Sequence, residues 1–266
     1  MDGGIDETLS FTERGRGWAR AAVGLGRRLA DIALPPLCLS CGQGVEAHGA
    51  LCGTCWTAMA FIEAPFCPVS GVPFPFDPGP GIVSAAALAS PPPYARARAV
   101  MRYSDESARL VHRFKYSDRM EAAPAFARWM ARAGAELLEG ADFIAPVPLH
   151  RRRLFSRRFN QSAELARRIS HLSSVAFVPD LLERVRATRP QVGLSGAARR
   201  RNVAGAFRLR ERARELVKGR IVVIVDDVIT TGATVEACAR VLNVAGAAEV
   251  RVLCLARVVP GEGATI

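Results

Sequence analysis

The chain has 266 residues, 50% of them hydrophobic and 7% aromatic, an ordinary globular composition with material for one or two domains and a sizeable core. A formal charge of +11 and a pI near 10.2 point to polyanionic partners such as nucleotides, pyrophosphate or nucleic acid. No run is apolar enough to span a bilayer, and Asp2, Asp6 and Glu7 stand where a signal peptide would be apolar, so a cytoplasmic location with reduced cysteines is expected.

Residues 1–15 are polar. In residues 18–34 the apolar Trp18, Ala22, Leu25, Leu29 and Ile32 are spaced like one face of an amphipathic helix, which Pro35 and Pro36 end. Its arginine-rich face either packs on the domain that follows or touches a membrane surface or nucleic acid.

Cys38 and Cys41, then Cys52 and Cys55, form two CxxC knuckles around a short glycine-containing loop. Four thiolates at this spacing can close a tetrahedral zinc site of the ribbon type, structural because no coordination position is left open. In a reducing compartment a metal accounts for them better than disulfides. Unliganded cysteines or a redox pair are the alternatives. His48 is read as a loop residue. Cys67, Ser70 and Gly71 look like a third knuckle whose second cysteine is serine, and a lone Cys67 cannot build a second site.

Residues 65–93 are dense in proline and glycine, a linker or irregular edge, with a strand expected over 82–89. In residues 94–140, Leu110, Val111 and Phe114, then Ala125, Phe126, Trp129, Met130, Ala133 and Leu137, mark two helices. His112, Arg113, Lys115 and Tyr116 supply charge and an aromatic ring, for a lid over a nucleobase or for a plain helical face on a sheet.

Residues 142–149 (DFIAPVPL) read as a strand running into a proline-stiffened turn, followed by Arg151, Arg152 and Arg153. Guanidinium forks grip pyrophosphate oxygens bidentately; solvated arginines are the alternative. Arg157, Arg158, Phe159, Asn160 and Gln161 begin a helix that reaches Leu172. A second basic stretch holds Gln191, Arg199 and Asn202, fitted to a mobile arm that closes over pyrophosphate and excludes water.

Residues 221–234 read IVVIVDDVITTGAT. Five β-branched residues in a row are the pattern of a strand buried on both faces of a parallel sheet, expected to end at Asp226 and Asp227. Thr230, Thr231, Gly232, Ala233 and Thr234 then open a helix whose N–H groups, hydroxyls and dipole favour a phosphate. The paired acids can accept hydrogen bonds from vicinal sugar hydroxyls, or hold Mg²⁺ through water. A buried strand with an ordinary capped helix is the plainer alternative. A further strand is expected over 249–259, with Cys238 and Cys254 as small core residues.

This stretch resembles the phosphoribosyl pyrophosphate (PRPP) motif of type I phosphoribosyltransferases. The order of features across residues 34–259 (cysteine knuckles, PVP before an arginine run, RRFNQ, TxxQxxL, RxxN and VDDVITTGAT) resembles the ComF family. The resemblance implies an α/β fold of the type I phosphoribosyltransferase kind, a parallel sheet core with a hood, preceded by a small zinc-ribbon module. The expected organisation is a tail and amphipathic helix (1–34), zinc-ribbon module (35–75), linker and hood (76–140) and core (141–266).

Carried over by position, the resemblance makes Asp226 and Asp227 the catalytic acids that hold the ribose hydroxyls. It puts the 5′-phosphate on Thr230, Thr231, Gly232, Ala233 and Thr234, and pyrophosphate beside Arg151, Arg152 and Arg153, with Gln191, Arg199 and Asn202 on the mobile loop. It implies structural zinc on Cys38, Cys41, Cys52 and Cys55, and Mg²⁺ with PRPP. Through the family's part in DNA uptake during natural transformation, it implies single-stranded DNA and competence proteins as partners. Two departures stand out: Arg158 replaces a glycine before Phe-Asn-Gln, and Ser70 replaces a cysteine, which argues for one zinc rather than two. An enzyme transferring phosphoribosyl from PRPP to a nitrogen nucleophile and a non-catalytic single-stranded DNA-binding factor are both compatible with these residues.

Overall fold

The computed structural model describes residues 35–116, 120–157, 159–187 and 196–259. The helix expected over 18–34, Arg158, Gln191 and the side chain of Arg152 lie outside what is described. The chain divides into two compact units, residues 1–52 and 53–266.

In the first unit, residues 37–44 fold as a knuckle. The Cys38 N–H donates to the Gln43 carbonyl (2.7 Å) and the Gly42 N–H to the Cys38 carbonyl (3.0 Å). Gly42 closes this turn with φ +82°, a conformation that costs glycine little.

The second unit opens with α1 (Gly53–Ala58) and α2 (Ala85–Ala89). The latter replaces the strand expected over 82–89. Ser84 caps it by accepting the Ala87 N–H, and the sequence Ala-Ala-Ala-Leu-Ala is a strong helix former with no β-branched residue. Next comes β1 (Arg96–Arg102), a strand in the stretch read as two helices. Those helices follow it as α3 (Asp105–Tyr116) and α4 (Ala123–Ala133), then the short α5 (Ala135–Leu138).

The chain continues as β2 (Phe143–Pro146), α6 (Arg151–Arg157), α7 (Gln161–Ser173), β3 (Ala176–Phe177) and β4 (Leu182–Arg184). The helix expected to run on from Arg157 is therefore two helices. Asn160 breaks the run by capping α7, its side-chain oxygen accepting the Ser162 N–H at 3.1 Å. After α8 (Gly196–Val203), β5 (Phe207–Leu209) and α9 (Arg214–Val217) come β6 (Ile221–Ile229), α10 (Ala233–Val244) and β7 (Glu249–Arg257).

Five strands form one parallel sheet in the order β1-β7-β6-β2-β3, while β4 and β5 pair separately as an antiparallel ribbon. The central β6 and β7 are covered on both faces, which is why their sequences run apolar without alternation. On one face α10 packs Val235, Cys238 and Leu242 against Val222, Ile224, Val252 and Cys254. On the other, α4 lies over β1 and β7 and α7 over β2 and β6, with the Phe114 and Phe126 rings edge to face at 5.2 Å. The end of α4 presses so close to β7 that a Cβ at Gly134 would meet Leu253 Cδ1 at 2.6 Å. Among the described residues no helix is long and apolar enough to cross a membrane.

The outer edge of β1 is covered by residues 60–71. Ile62 N–H donates to Val100 O (2.9 Å), Arg102 N–H to Ala60 O (2.8 Å) and Ala97 N–H to Val69 O (2.8 Å). Arg98, buried in β1, ion-pairs with Glu136, donates to Pro68 O at 2.9 Å and lies 4.4 Å over the Phe66 ring. Arg257, at the end of β7, donates to Ser70 O.

Candidate phosphoribosyl site and metal centre

Strand β6 does not end at the two acids. It runs on to Ile229 because β7 accompanies it all the way, from Ile221 opposite Glu249 to Ile229 opposite Arg257. On its other side β2 stops at Pro146, opposite Val225. Among the described residues, β6 has a strand neighbour on one side only from Asp226 onward. A cavity of about 280 Å³ opens there, at the carboxyl ends of the strands, where open parallel sheets bind ligands.

Asp226 and Asp227 lie in its wall, each already oriented. Asp226 Oδ1 accepts from Ser162 Oγ at 3.1 Å and from the Asp227 N–H at 3.0 Å. Burial first, and then the neighbouring Asp227 charge, push the Asp226 carboxyl up to about 7, against the opposing pull of Lys115. Asp227 Oδ1 faces Lys115 Nζ at 3.1 Å. Lys115 lies in the last turn of α3 and its backbone is pinned there, because Gln161 Nε2 donates to its carbonyl at 3.1 Å. Asn160 Nδ2 donates to Val147 O at 3.0 Å, tying the start of α7 to the turn after β2. Three consecutive residues, Asn160, Gln161 and Ser162, thus anchor both acids.

Thr230, Gly232, Ala233 and Thr234 line the cavity at the N-terminus of α10. Gly232 is its N-cap at φ +81°, and an added Cβ would also meet Glu236 Oε1 at 3.1 Å. Helix N-termini carry N–H groups that the helix leaves unused and a partial positive charge, so this turn is suited to an anion.

Arg153 and Arg199 join this lining, and Arg199 is nearly buried. Arg184 also lines the cavity, its guanidinium 5.2 Å over the Phe207 ring. Burial, and then the charge of Arg153, lower it to about 10. Cations crowded at this depth favour a polyanion between them. Arg151, Thr231 and Asn202 stand outside the lining. Arg151 and Thr231 are exposed, and the Asn202 carbonyl accepts from Arg186 Nη2 at 3.1 Å. Arg151, Arg152 and Arg153 occupy the first turn of α6 rather than a loop.

Sequence reasoning gave Lys115 no role at the acids and passed over Ser162 and Arg184. The pairing of the first two with the acids is long-range, and Arg184 sits on a three-residue strand with no motif of its own.

The sulfurs of Cys38, Cys41, Cys52 and Cys55 all lie within 4.8 Å of one another, with Cys41 and Cys52 3.7 Å apart. Zinc–sulfur bonds of about 2.3 Å place the corners of a regular tetrahedron about 3.8 Å apart, so the set fits zinc. Burial works against a thiolate at Cys38, but N–H donors from Cys41, Cys52 and Ser40 outweigh it and bring the thiol to about 6. His48 is not part of the cluster.

The third knuckle repeats the backbone of the first. The Cys67 N–H donates to Val72 O and the Gly71 N–H to Cys67 O, both at 2.8 Å. Its sulfur is held by N–H groups instead of partner thiols, from Ser84 at 3.3 Å and Ser70 at 3.5 Å. Burial pushes this thiol up, but the Ser70 and Ser84 donors prevail and bring it to about 7. Among the described residues the four-sulfur cluster is the one group with a metal ligand set.

Residues 29–86 match a family model described as a double zinc ribbon domain, and residues 141–263 one described as a phosphoribosyl transferase domain. The chain is 38% identical over 234 residues to the DNA utilization protein YhgH of Salmonella typhimurium, a match spanning 85% of this chain and 99% of that one. Over 153 residues it is 33% identical to Competence protein F of Haemophilus influenzae, covering 56% of this chain and 66% of the other. A solved structure titled as the allosteric regulatory enzyme of purine biosynthesis aligns over 54% of this chain and 30% of its own, at 22% identity and a TM-score of 0.37, a likeness that adds nothing to the assignment.

Proposed function

The chain belongs to the ComF family, and on that premise we propose that its phosphoribosyltransferase domain binds PRPP or a related phosphoribosyl group in the cavity at the end of β6. One observation carries this reading. The glycine turn at the N-terminus of α10 and an acidic pair oriented by Ser162 and Lys115 line the same cavity. The 5′-phosphate rests on Thr230, Gly232, Ala233 and Thr234, and the ribose hydroxyls donate to Asp226 and Asp227.

Turnover, in this proposal, breaks the C1–oxygen bond to pyrophosphate and forms a bond from C1 to a nitrogen nucleophile. Arg153, Arg184 and Arg199 stabilise the charge that gathers on the leaving group, and the cavity holds donor and acceptor in line. Asp227 Oδ1 faces Lys115 and Asp226 Oδ1 accepts two protein hydrogen bonds, so the acids offer Mg²⁺ only their remaining oxygens. Bound with PRPP, Mg²⁺ would supply charge to balance the pyrophosphate, beside Arg153, Arg184 and Arg199.

Calorimetry with PRPP and Mg²⁺ tests the proposal. Heat of binding is expected from the wild type and none from Asp226→Asn combined with Asp227→Asn. A silent wild type removes the reading.

The cellular role we propose is cytoplasmic handling of DNA during competence, as the names of the relatives suggest for those proteins. Direct binding of single-stranded DNA is favoured by the exposed Arg151, Arg200 and Arg201 on a chain of net charge +11. Each phosphate contact then adds roughly −0.7 to the slope of log K against log salt. A flat salt response excludes this binding mode.

A further inference from the structure

We infer that Lys115 is a built-in cation for the acidic pair, so that the ribose 5-phosphate end of a ligand binds without any divalent metal. The inference rests on the phosphoribosyl reading above and deepens it by separating the part of the ligand that needs a metal from the part that does not.

Two adjacent carboxylates in a half-buried wall repel each other, and a protein can relieve this with a proton on one of them, a bound ion or a fixed side-chain charge. Here the chain supplies the charge. Lys115 Nζ stands 3.1 Å from Asp227 Oδ1, with side-chain exposures of only 21% and 13%, so bulk water screens the pair weakly.

The base of the Lys115 stem is held in place. Its backbone is fixed by Gln161 Nε2, and Val111 and Phe114, buried in the same helix, lock α3 against the domain. The other acid is served as well, since Asp226 Oδ1 accepts from Ser162 Oγ and the Asp227 N–H. Magnesium wants near-octahedral oxygen ligation, and one oxygen on each acid is already committed to protein donors. The phosphate, for its part, meets N–H groups and hydroxyls on the α10 turn, which need no metal.

Pyrophosphate is different. It would carry several charges into a part of the cavity where Arg153, Arg184 and Arg199 stand, and a divalent ion would share the load there. Metal dependence should therefore follow the ligand: absent for ribose 5-phosphate, present for PRPP.

The experiment is titration calorimetry on the full zinc-loaded chain. The metal-free buffer is prepared with a resin, since a soluble chelator would compete for the zinc. Wild type should bind ribose 5-phosphate with the same Kd with and without Mg²⁺. Lys115→Met should bind it about tenfold or more weakly without metal, the scale of a lost charged hydrogen bond, and recover when Mg²⁺ is added. Lys115→Arg should behave as wild type. A residue that merely supports the fold would not exchange its effect for a metal ion.

Wild type that binds ribose 5-phosphate only with Mg²⁺ overturns the inference, as does Lys115→Met binding like wild type without metal. In either case PRPP binding with Mg²⁺ leaves the proposed function standing. If neither ligand binds under any condition, that function falls and the inference with it. Should Lys115→Met fail to fold, the wild-type pair of titrations decides alone.

Discussion

Ser162 Oγ donates to Asp226 Oδ1 across 3.1 Å, joining the first turn of α7 to β6, 64 residues further along the chain. The acid therefore depends for its orientation on a helix that packs on its own strand. Ser162→Ala should weaken ribose 5-phosphate binding about 2- to 12-fold, as a lost hydrogen bond of about 0.5–1.5 kcal/mol would. Calorimetry and thermal unfolding together check it. Undiminished affinity would mean that Asp226 needs no positioning.

The raised carboxyl of Asp226 gives stability a definite pH dependence. Unfolded, it loses its proton near 3.8; folded, it keeps it to about 7. A raised folded-state value stabilises fully below the lower figure and is lost as pH climbs through the higher one. Asp226→Asn lacks this loss, so its stability relative to wild type should grow between about pH 4 and 7, by at most roughly 4 kcal/mol. Water entering from the cavity lowers that ceiling. Other carboxylates, such as Glu164 and Glu249, shift the opposite way, but they are common to both proteins and cancel in the difference. Urea unfolding across this range is the measurement, and a flat difference would show Asp226 ionised throughout.

Elemental analysis should find one zinc per chain. Cys41→Ser and Cys55→Ser should each lose it, with a fall in thermal stability, because a structural site contributes directly to folding. Cys67→Ser should keep it. Two equivalents per chain would contradict the reading of the third knuckle as held by N–H groups of Ser70 and Ser84.

Gly232→Ala should cost about 1–2 kcal/mol, since alanine is strained at φ +81° and its Cβ would displace the Glu236 carboxylate. The strain sits in the turn proposed to hold the phosphate, so affinity for ribose 5-phosphate should fall along with the melting temperature. A loss of stability with unchanged affinity would detach this turn from the ligand.

The stretch from Ile221 to Thr234 and the two cysteine pairs were legible because their meaning is local. Strand, turn and helix N-terminus follow one another directly, and thiols spaced CxxC face one another in any knuckle. Strand β1 was not legible. Arg96, Arg98 and Arg102 look like a solvated helical face, and nothing nearby announces that Glu136 and the Pro68 carbonyl will let Arg98 be buried. The alanines of α2 were masked by Ile82 and Val83 ahead of them, which pulled the expectation toward a strand. Arginine is a good helix former, and that propensity prevailed where a loop was expected at Arg151. Lys115 and Ser162 are ordinary residues until the sheet brings the ends of two helices to the same pair of acids.

The cover that residues 60–71 place over β1 means that the third knuckle is held by the sheet it protects. A chain cut to begin at residue 76 would lose more than a metal-binding appendage. It would bare seven residues of strand, take from Arg98 and Arg257 the carbonyls of Pro68 and Ser70, and leave an open edge on which further copies could stack. Such a truncation is a recipe for aggregates, and the smallest fragment worth expressing starts ahead of Ala60.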